Sequence, residues 1–291
     1  MKTKKTVNQK LKRIFLSLLL PAAMTASVTC NAQDNSGIPP HQMRVASYNI
    51  QHGMGMDNQL NYKRIAEVLR TISPDVVAVQ EVDSMTQRTN NTYALGEIAE
   101  QLNYYASYAP AIDLEGGKYG IGILSRERPI SVRQYALPGS EEARTLLVAE
   151  FDDFVFASTH LSLTEADRMA SISIIEEAAK KSGKPFVVAG DLNDKPDSPF
   201  IRQFEEKFQI CSGKQKSWPA DKPTECLDYI AAYKRKSASK NGKGGTQHPA
   251  VTLFSDVLNT QASDHRPIVA EIVLGQWKFS GDKHKSLQVD T

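Results

Sequence analysis

Four short polar clusters stand at the exits of apolar runs in this chain, Tyr48-Asn49, Gln80-Glu81, Thr159-His160 and Gly190-Asp191-Leu192-Asn193, and a fifth, Ser263-Asp264-His265-Arg266-Pro267, stands at the entry to the last such run. Together they offer oxygen ligands for a hard divalent cation and two imidazoles for proton transfer, which is the equipment for hydrolysing a phosphate ester. Glu81 follows Val76-Val77-Ala78-Val79, so a rigid buried strand delivers its carboxylate to a sheet edge. A glutamate at a strand end is otherwise simply solvated. Asn49 ends another strand and offers a neutral carbonyl oxygen as a companion ligand, or serves as a turn residue. Asp191 and Asn193, two apart after Gly190, present a carboxylate and an amide on one side. One could meet the attacking water or the leaving oxygen and the other a phosphate oxygen; an Asx-type turn is the alternative use of the pair.

Asp264 and His265 put a carboxylate and an imidazole side by side. If Asp264 binds metal, His265 can reach the water without being a ligand itself. A histidine base needs an acceptor to orient it. Asp228, inside the apolar Leu227-Asp228-Tyr229-Ile230, is a carboxylate that burial tolerates only when paired.

The elements that must position these groups are legible from pattern. Residues 43–48, 75–79, 119–124, 145–151, 154–158, 185–189, 227–231 and 267–274 are short, rich in β-branched residues and bounded by turn formers, and read as strands, several buried on both faces. Residues 61–71, 94–102, 164–181 and 198–208 carry helical periodicity, with Thr164 and Asp167 as a capping box that uses the shorter acid. Only Asp152-Asp153 separates two of the strands, a hairpin-length gap, so part of the sheet is antiparallel. Hairpins mixed with helical crossovers predict two packed sheets with helices on the outer faces, and chemistry converging on one edge. No internal repeat or low-complexity linker divides the chain.

Six basic residues, Lys2 to Arg13, precede the apolar run from Ile14 to Leu20 and small residues through Ala32, the layout of a secretory signal peptide too short in its apolar part to span a bilayer. Cleavage after Ala32 is the expectation; a lipid-modified Cys30 of an outer-membrane lipoprotein is the alternative. An extension (33–42), one domain (43–275) and a tail (276–291) would follow, in a periplasmic or secreted protein. Removing the leader takes the chain from 35 basic against 33 acidic residues to 29 against 33, so a polyanion-binding surface is not implied. Export also leaves Cys211 and Cys226 as an even pair, expected as a disulfide, with two small buried hydrophobes as the alternative. The basic, glycine-rich stretch 234–245 reads as a solvated hairpin loop or as a phosphate-reaching arm.

These motifs, with Ser47-Tyr48-Asn49-Ile50, Gly120-Ile-Gly-Ile-Leu-Ser125 and Ser158-Thr-His160-Leu161 in order, resemble the endonuclease/exonuclease/phosphatase superfamily from about Met43 to Leu274. The resemblance implies a four-layered α/β sandwich of two mixed β-sheets flanked by helices. It implies Asn49, Glu81 and Asp264 at Mg²⁺ or Mn²⁺, His265 oriented by Asp228 as general base, and Asp191 positioning the nucleophile or protonating the leaving oxygen. Asn193 would hold the phosphate, His160 would assist the leaving group, and Arg144 would contact phosphate. The expected activity is hydrolysis of a phosphodiester or phosphomonoester on a small molecule or lipid headgroup. A secreted DNase I-like endonuclease is the first alternative and a non-catalytic binding module the second; no obligate protein partner is implied.

Overall fold

The computed structural model of the chain describes residues 41–235 and 249–275. The expected leader with Cys30, most of the basic 234–245 stretch and the tail 276–291 lie outside the described residues.

Strands β1 (His41–Asn49) and β2 (Val76–Ser84) show why the sequence makes layers. Val45, Val76 and Ala78 enter the core between the sheets, while Ala46, Tyr48, Val77 and Val79 enter a second core on the opposite face. With both faces apolar, each strand must be covered twice. Helix α1 (Tyr62–Ile72) does the outer covering with α2 (Ala94–Leu102). The α1 residues Ile65, Ala66, Leu69 and Ile72 form one buried stripe, and Asn61 caps the helix by accepting from the Arg64 backbone N–H at 3.0 Å.

The remaining elements are β3 (Tyr105–Leu114), β4 (Gly117–Ser125), β5 (Ser131–Leu137), β6 (Arg144–Glu150), β7 (Val155–His160), α3 (Glu165–Ser182), β8 (Phe186–Asp191), α4 (Pro199–Lys207), β9 (Phe208–Ile210), β10 (Asp228–Tyr233), β11 (Ala250–Val257) and β12 (Ile268–Leu274). They complete two six-stranded sheets, ordered β11-β12-β1-β2-β4-β3 and β5-β6-β7-β8-β10-β9. Each sheet holds one parallel pair, β1 with β2 and β7 with β8, joined through α1 and α3; the other pairings are antiparallel. Helices α3 and α4 cover the outer face of the second sheet, where Phe204 stacks on Phe208 with centroids 4.5 Å apart. The result is the four-layered sandwich of two mixed sheets flanked by helices.

All four expected helices and eight expected strands form. Four further strands, β3, β5, β9 and β11, are the outermost strand at each side of each sheet. The capping box at α3 does not form: Thr164 makes no side-chain cap, and the Asp167 carboxylate instead accepts from the Ser140 N–H at 2.6 Å and the Ser162 hydroxyl at 3.0 Å. A neighbouring loop that needs an acceptor outcompetes the helix terminus.

The expected disulfide is absent. Cys211 packs between the two sheets and Cys226 on the helix-covered face of the second sheet, so a layer of β-structure stands between two free thiols. Burial pushes both thiols up to about 11, which makes them poor nucleophiles as well. They are small buried hydrophobes. Denaturing the protein in alkylating reagent without reductant should label both Cys211 and Cys226; a cross-linked peptide in the mass spectrum would contradict this placement.

Candidate active site

Three adjacent strands of the second sheet end side by side. His160 stands opposite Asp191 in the parallel β7–β8 register, and Asp191 stands opposite Asp228 in the antiparallel β8–β10 register. Gly190 permits the close approach of β7: a Cβ there would lie 2.0 Å from the Thr159 carbonyl oxygen. From the first sheet, β1 and β2 bring Asn49 opposite Gln80, with Glu81 next. Glu81 occupies an irregularity in the β2–β4 register between Val79 and Val82 and has a left-handed φ of 56°. An extra residue at this bulge re-aims the side chain, and backbone strain of this kind is characteristic of functional sites.

The buried carboxylate of Asp191 is the meeting point. Its Oδ2 lies 3.2 Å from Asn49 Nδ2 and 3.7 Å from Nε2 of both His160 and His265, while Oδ1 accepts from the Asn193 N–H at 2.9 Å. Asn49 Nδ2 also donates to Glu81 Oε1 at 2.9 Å, and its Oδ1 accepts from the Gln51 N–H. The Asn49 amide therefore bridges two acids and ties the sheets together. Asn193, at φ 53°, combines the turn with a contact: its Nδ2 donates to the Leu161 carbonyl at 2.8 Å.

His265 Nδ1 faces Asp228 Oδ2 at 2.9 Å, in the arrangement read from sequence. Burial alone would lower the proton affinity of His265, but the charge and hydrogen bond of Asp228 outweigh it and push the imidazole up to about 10. His160 goes the other way: burial, then Arg144 and His265, hold it well below the usual histidine range. One imidazole is charged and the other neutral, on either side of one acid. Burial and the nearby Asp228 push Asp191 itself up to about 7.

Glu81 is held above the usual carboxylate range by burial, partly offset by the Asn49 hydrogen bond, with Asp264 adding repulsion. Two acids that repel in a setting of oxygen donors suit a hard divalent cation. Among the described residues, Asp191, Asp228 and His265 also bring potential ligand atoms within 4.8 Å of one another. There, however, Asp228 Oδ2 already receives His265 and the Ser217 hydroxyl, at 2.9 and 2.5 Å. That group is better suited to moving protons, and the Glu81–Asp264 side to holding a cation.

Arg144 is buried between Glu141 and Glu142, at 3.4 and 3.3 Å, so its charge is largely matched before any phosphate arrives. A groove of about 310 Å³ lined by Gln42, Arg44, Ser73, Asp75 and Glu271 lies at the beginning of β1, the opposite end from Asn49, and takes no part in the site. Ser217, which touches Asp228, was not legible from sequence because it sits in an irregular loop whose single signal is the adjoining Trp218-Pro219.

Residues 46–265 match the model of the Endonuclease/Exonuclease/phosphatase family. The chain belongs to this family. Solved structures with the same fold include an endonuclease/exonuclease/phosphatase from Beutenbergia cavernae at 21% identity, with 81% of this chain and 72% of that one covered and a TM-score of 0.62. A Bacteroides vulgatus family protein aligns at 17% identity over 81% of this chain and all of that one (100%), TM-score 0.66. A Bacteroides thetaiotaomicron mannosyl-6-phosphatase aligns at 17% over 80% and 100%, TM-score 0.61. No curated protein matches the sequence. Family membership accounts for the order of the clusters along the chain.

For the proton-transfer pair, His265→Ala and Asp228→Asn should each lower kcat by about 10²–10⁴-fold, the scale of a general base. Because the pair acts as one unit, the double variant should be about as slow as the worse single one. Losses that multiply would show that the two act independently.

Proposed function

We propose that this chain is an exported, metal-dependent phosphoesterase that hydrolyses a phosphodiester or phosphomonoester through in-line attack of water. The observation that carries the reading is the Asp228–His265 pair, with its free Nε2 facing Asp191, at the edge where Glu81 and Asp264 converge. Asn49, Glu81 and Asp264 would hold Mg²⁺ or Mn²⁺. When bound there, such an ion polarises a phosphoryl oxygen and offsets the charge that develops on it.

The chain's own groups supply the proton traffic. His265 takes the proton of the attacking water, and Asp228 stabilises the imidazolium that results. The high proton affinity of His265 would hold it charged before reaction, and positive charge held at Asp264 next to it offsets that affinity. Asp191 orients the water or hands a proton to the leaving oxygen; pushed up to about 7, it can act in either form near neutral pH. His160, neutral and 3.7 Å from Asp191, stands ready to share that proton, and Asn193 and Arg144 flank the position for phosphate. A binding module would have no use for a buried acid paired to a histidine.

A small or headgroup-type phosphoester fits better than duplex DNA. DNA binding needs several free cations along the site, and here Arg88 is paired to Asp83, Arg144 to Glu141 and Glu142, Arg168 to Asp194, and Lys195 to Glu225. The mannosyl-6-phosphatase with the same fold supports a small phosphorylated substrate. The basic leader is the support for export, with lipid attachment at Cys30 as its variant form.

Chelation with EDTA should abolish turnover, and added Mg²⁺ or Mn²⁺ should restore it. Glu81→Gln should lose most metal binding by calorimetry while keeping the wild-type unfolding midpoint; EDTA-resistant turnover would sink the metal-dependent reading. In a screen of sugar phosphates, phospholipids and plasmid DNA with one metal-loaded preparation, the small or headgroup esters should turn over fastest. Nicking of plasmid at low enzyme concentration, with rates that fall steeply as salt rises, would establish the nuclease alternative instead.

A further inference from the structure

Ser217 lies in the loop between β9 and β10 and is completely buried. Its hydroxyl donates to Asp228 Oδ2 at 2.5 Å, the same oxygen that faces His265 Nδ1 at 2.9 Å. That length is at the short end of the range for a hydroxyl donating to a carboxylate oxygen. The other oxygen, Asp228 Oδ1, is buried without a hydrogen-bond partner among the described residues. Apart from the histidine, Ser217 is therefore the side chain that fixes the rotation of this carboxylate.

The backbone of Ser217 reaches the other member of the pair. Its carbonyl accepts from the Arg266 N–H at 2.8 Å, one residue beyond His265, and its own N–H donates to the Glu225 carbonyl at 2.8 Å. Three residues on, the Ala220 N–H donates to the Asp264 carbonyl at 2.7 Å, and Arg266 Nε donates to the Ala220 carbonyl at 2.7 Å. The loop and the segment leading into β12 are thus stitched together on both sides of His265.

We propose that Ser217 is a positioning residue for the Asp228–His265 pair, holding the carboxylate by its hydroxyl and the histidine segment by its carbonyl. With Oδ2 accepting from both sides, His265 Nδ1 carries its hydrogen toward Asp228, and Nε2 is the nitrogen left to exchange a proton at the open side. Without the hydroxyl, the carboxylate is free to turn its unpartnered oxygen toward the ring or toward water, and the imidazole loses its fixed orientation. This role rests on reading Asp228 and His265 as the proton-transfer pair.

The test compares Ser217→Ala, Ser217→Thr, Asp228→Asn and the Ser217→Ala/Asp228→Asn double variant in the full chain. One readout is turnover of bis(p-nitrophenyl) phosphate and p-nitrophenyl phosphate with Mg²⁺. The other is the proton NMR resonance of the His265 Nδ1–H, assigned by its loss in His265→Ala. Ser217→Ala should lower kcat by about 10–100-fold, the range seen when an orienting partner of a site residue is removed, with little change in KM. Ser217→Thr should recover most of the loss, and the double variant should be no slower than Asp228→Asn. The Nδ1–H resonance should lie far downfield in wild type, move upfield or broaden by exchange in Ser217→Ala, and return in Ser217→Thr.

An unchanged kcat and resonance in folded Ser217→Ala would overturn the proposal, as would losses that multiply in the double variant. Should Ser217→Ala fail to fold, Ser217→Cys, similar in shape with a weaker donor, takes its place with the same expectations. If neither ester turns over in wild type, the phosphoesterase reading fails for these esters, and the resonance alone then decides the role of Ser217.

Discussion

A carboxylate buried at the end of β8 sets the terms for everything around it. Asp191 is 2% exposed, and an isolated charge at such depth would be prohibitive. It is tolerated because four partners from different elements converge on it: the Asn49 amide, the Asn193 N–H and two imidazoles. Asn193 is two residues on along the chain, and the other three come from distant parts of it. The acid can be accommodated only when the sheets are docked and the loops closed, so the group most demanding of the fold also stands at the centre of the candidate site.

This dependence separates the two sides of the site by role. On the side of the first sheet, Glu81 and Asp264 add acid to acid, an arrangement that favours a cation between them. On the side of the second sheet, each acid meets a proton donor: Asp228 has Ser217 and His265, and Asp191 lies between one charged and one neutral ring. The Asn49 side chain spans the boundary, donating to Glu81 on one side and to Asp191 on the other. A neutral amide is well chosen there, since a cation would cancel the acids and a third acid would add to the repulsion.

The sequence reveals the interior of the sandwich better than its margins. The strands that pattern alone identifies, such as 75–79 and 185–189, have apolar residues on both faces, because each lies between a sheet core and a helix core. The four strands that pattern does not reveal are sheet edges. In β11, Val251, Leu253 and Phe254 are all more than half exposed, and β3 carries Pro110 at a register irregularity, so neither shows a clean run or alternation. The site followed the same rule. Asn49, His160, Asp191 and Asp228 were legible because each sits at the end or beginning of an interior strand, and Glu81 because it closely follows the apolar run 76–79, although β2 continues past it to Ser84. Ser217 was not, because its position depends on the long-range stitching of two loops. The cysteines mislead for a related reason: proximity along the chain says nothing about which face of a sheet each residue takes.

The order of the strands has a consequence for how the chain could be rewritten. The second sheet is made from one unbroken stretch, β5 to β10, whereas the first is assembled from β1 to β4 and, much later, β11 and β12. The central pairing of β1 with β12 therefore closes a loop nearly as long as the domain, and low local contact of this kind slows folding. It also brings the two ends of the domain together, with His41 opposite Leu274. Joining those ends and opening the chain between β4 and β5 would produce a circular permutant in which each sheet is encoded as one continuous block, with every native strand pairing retained.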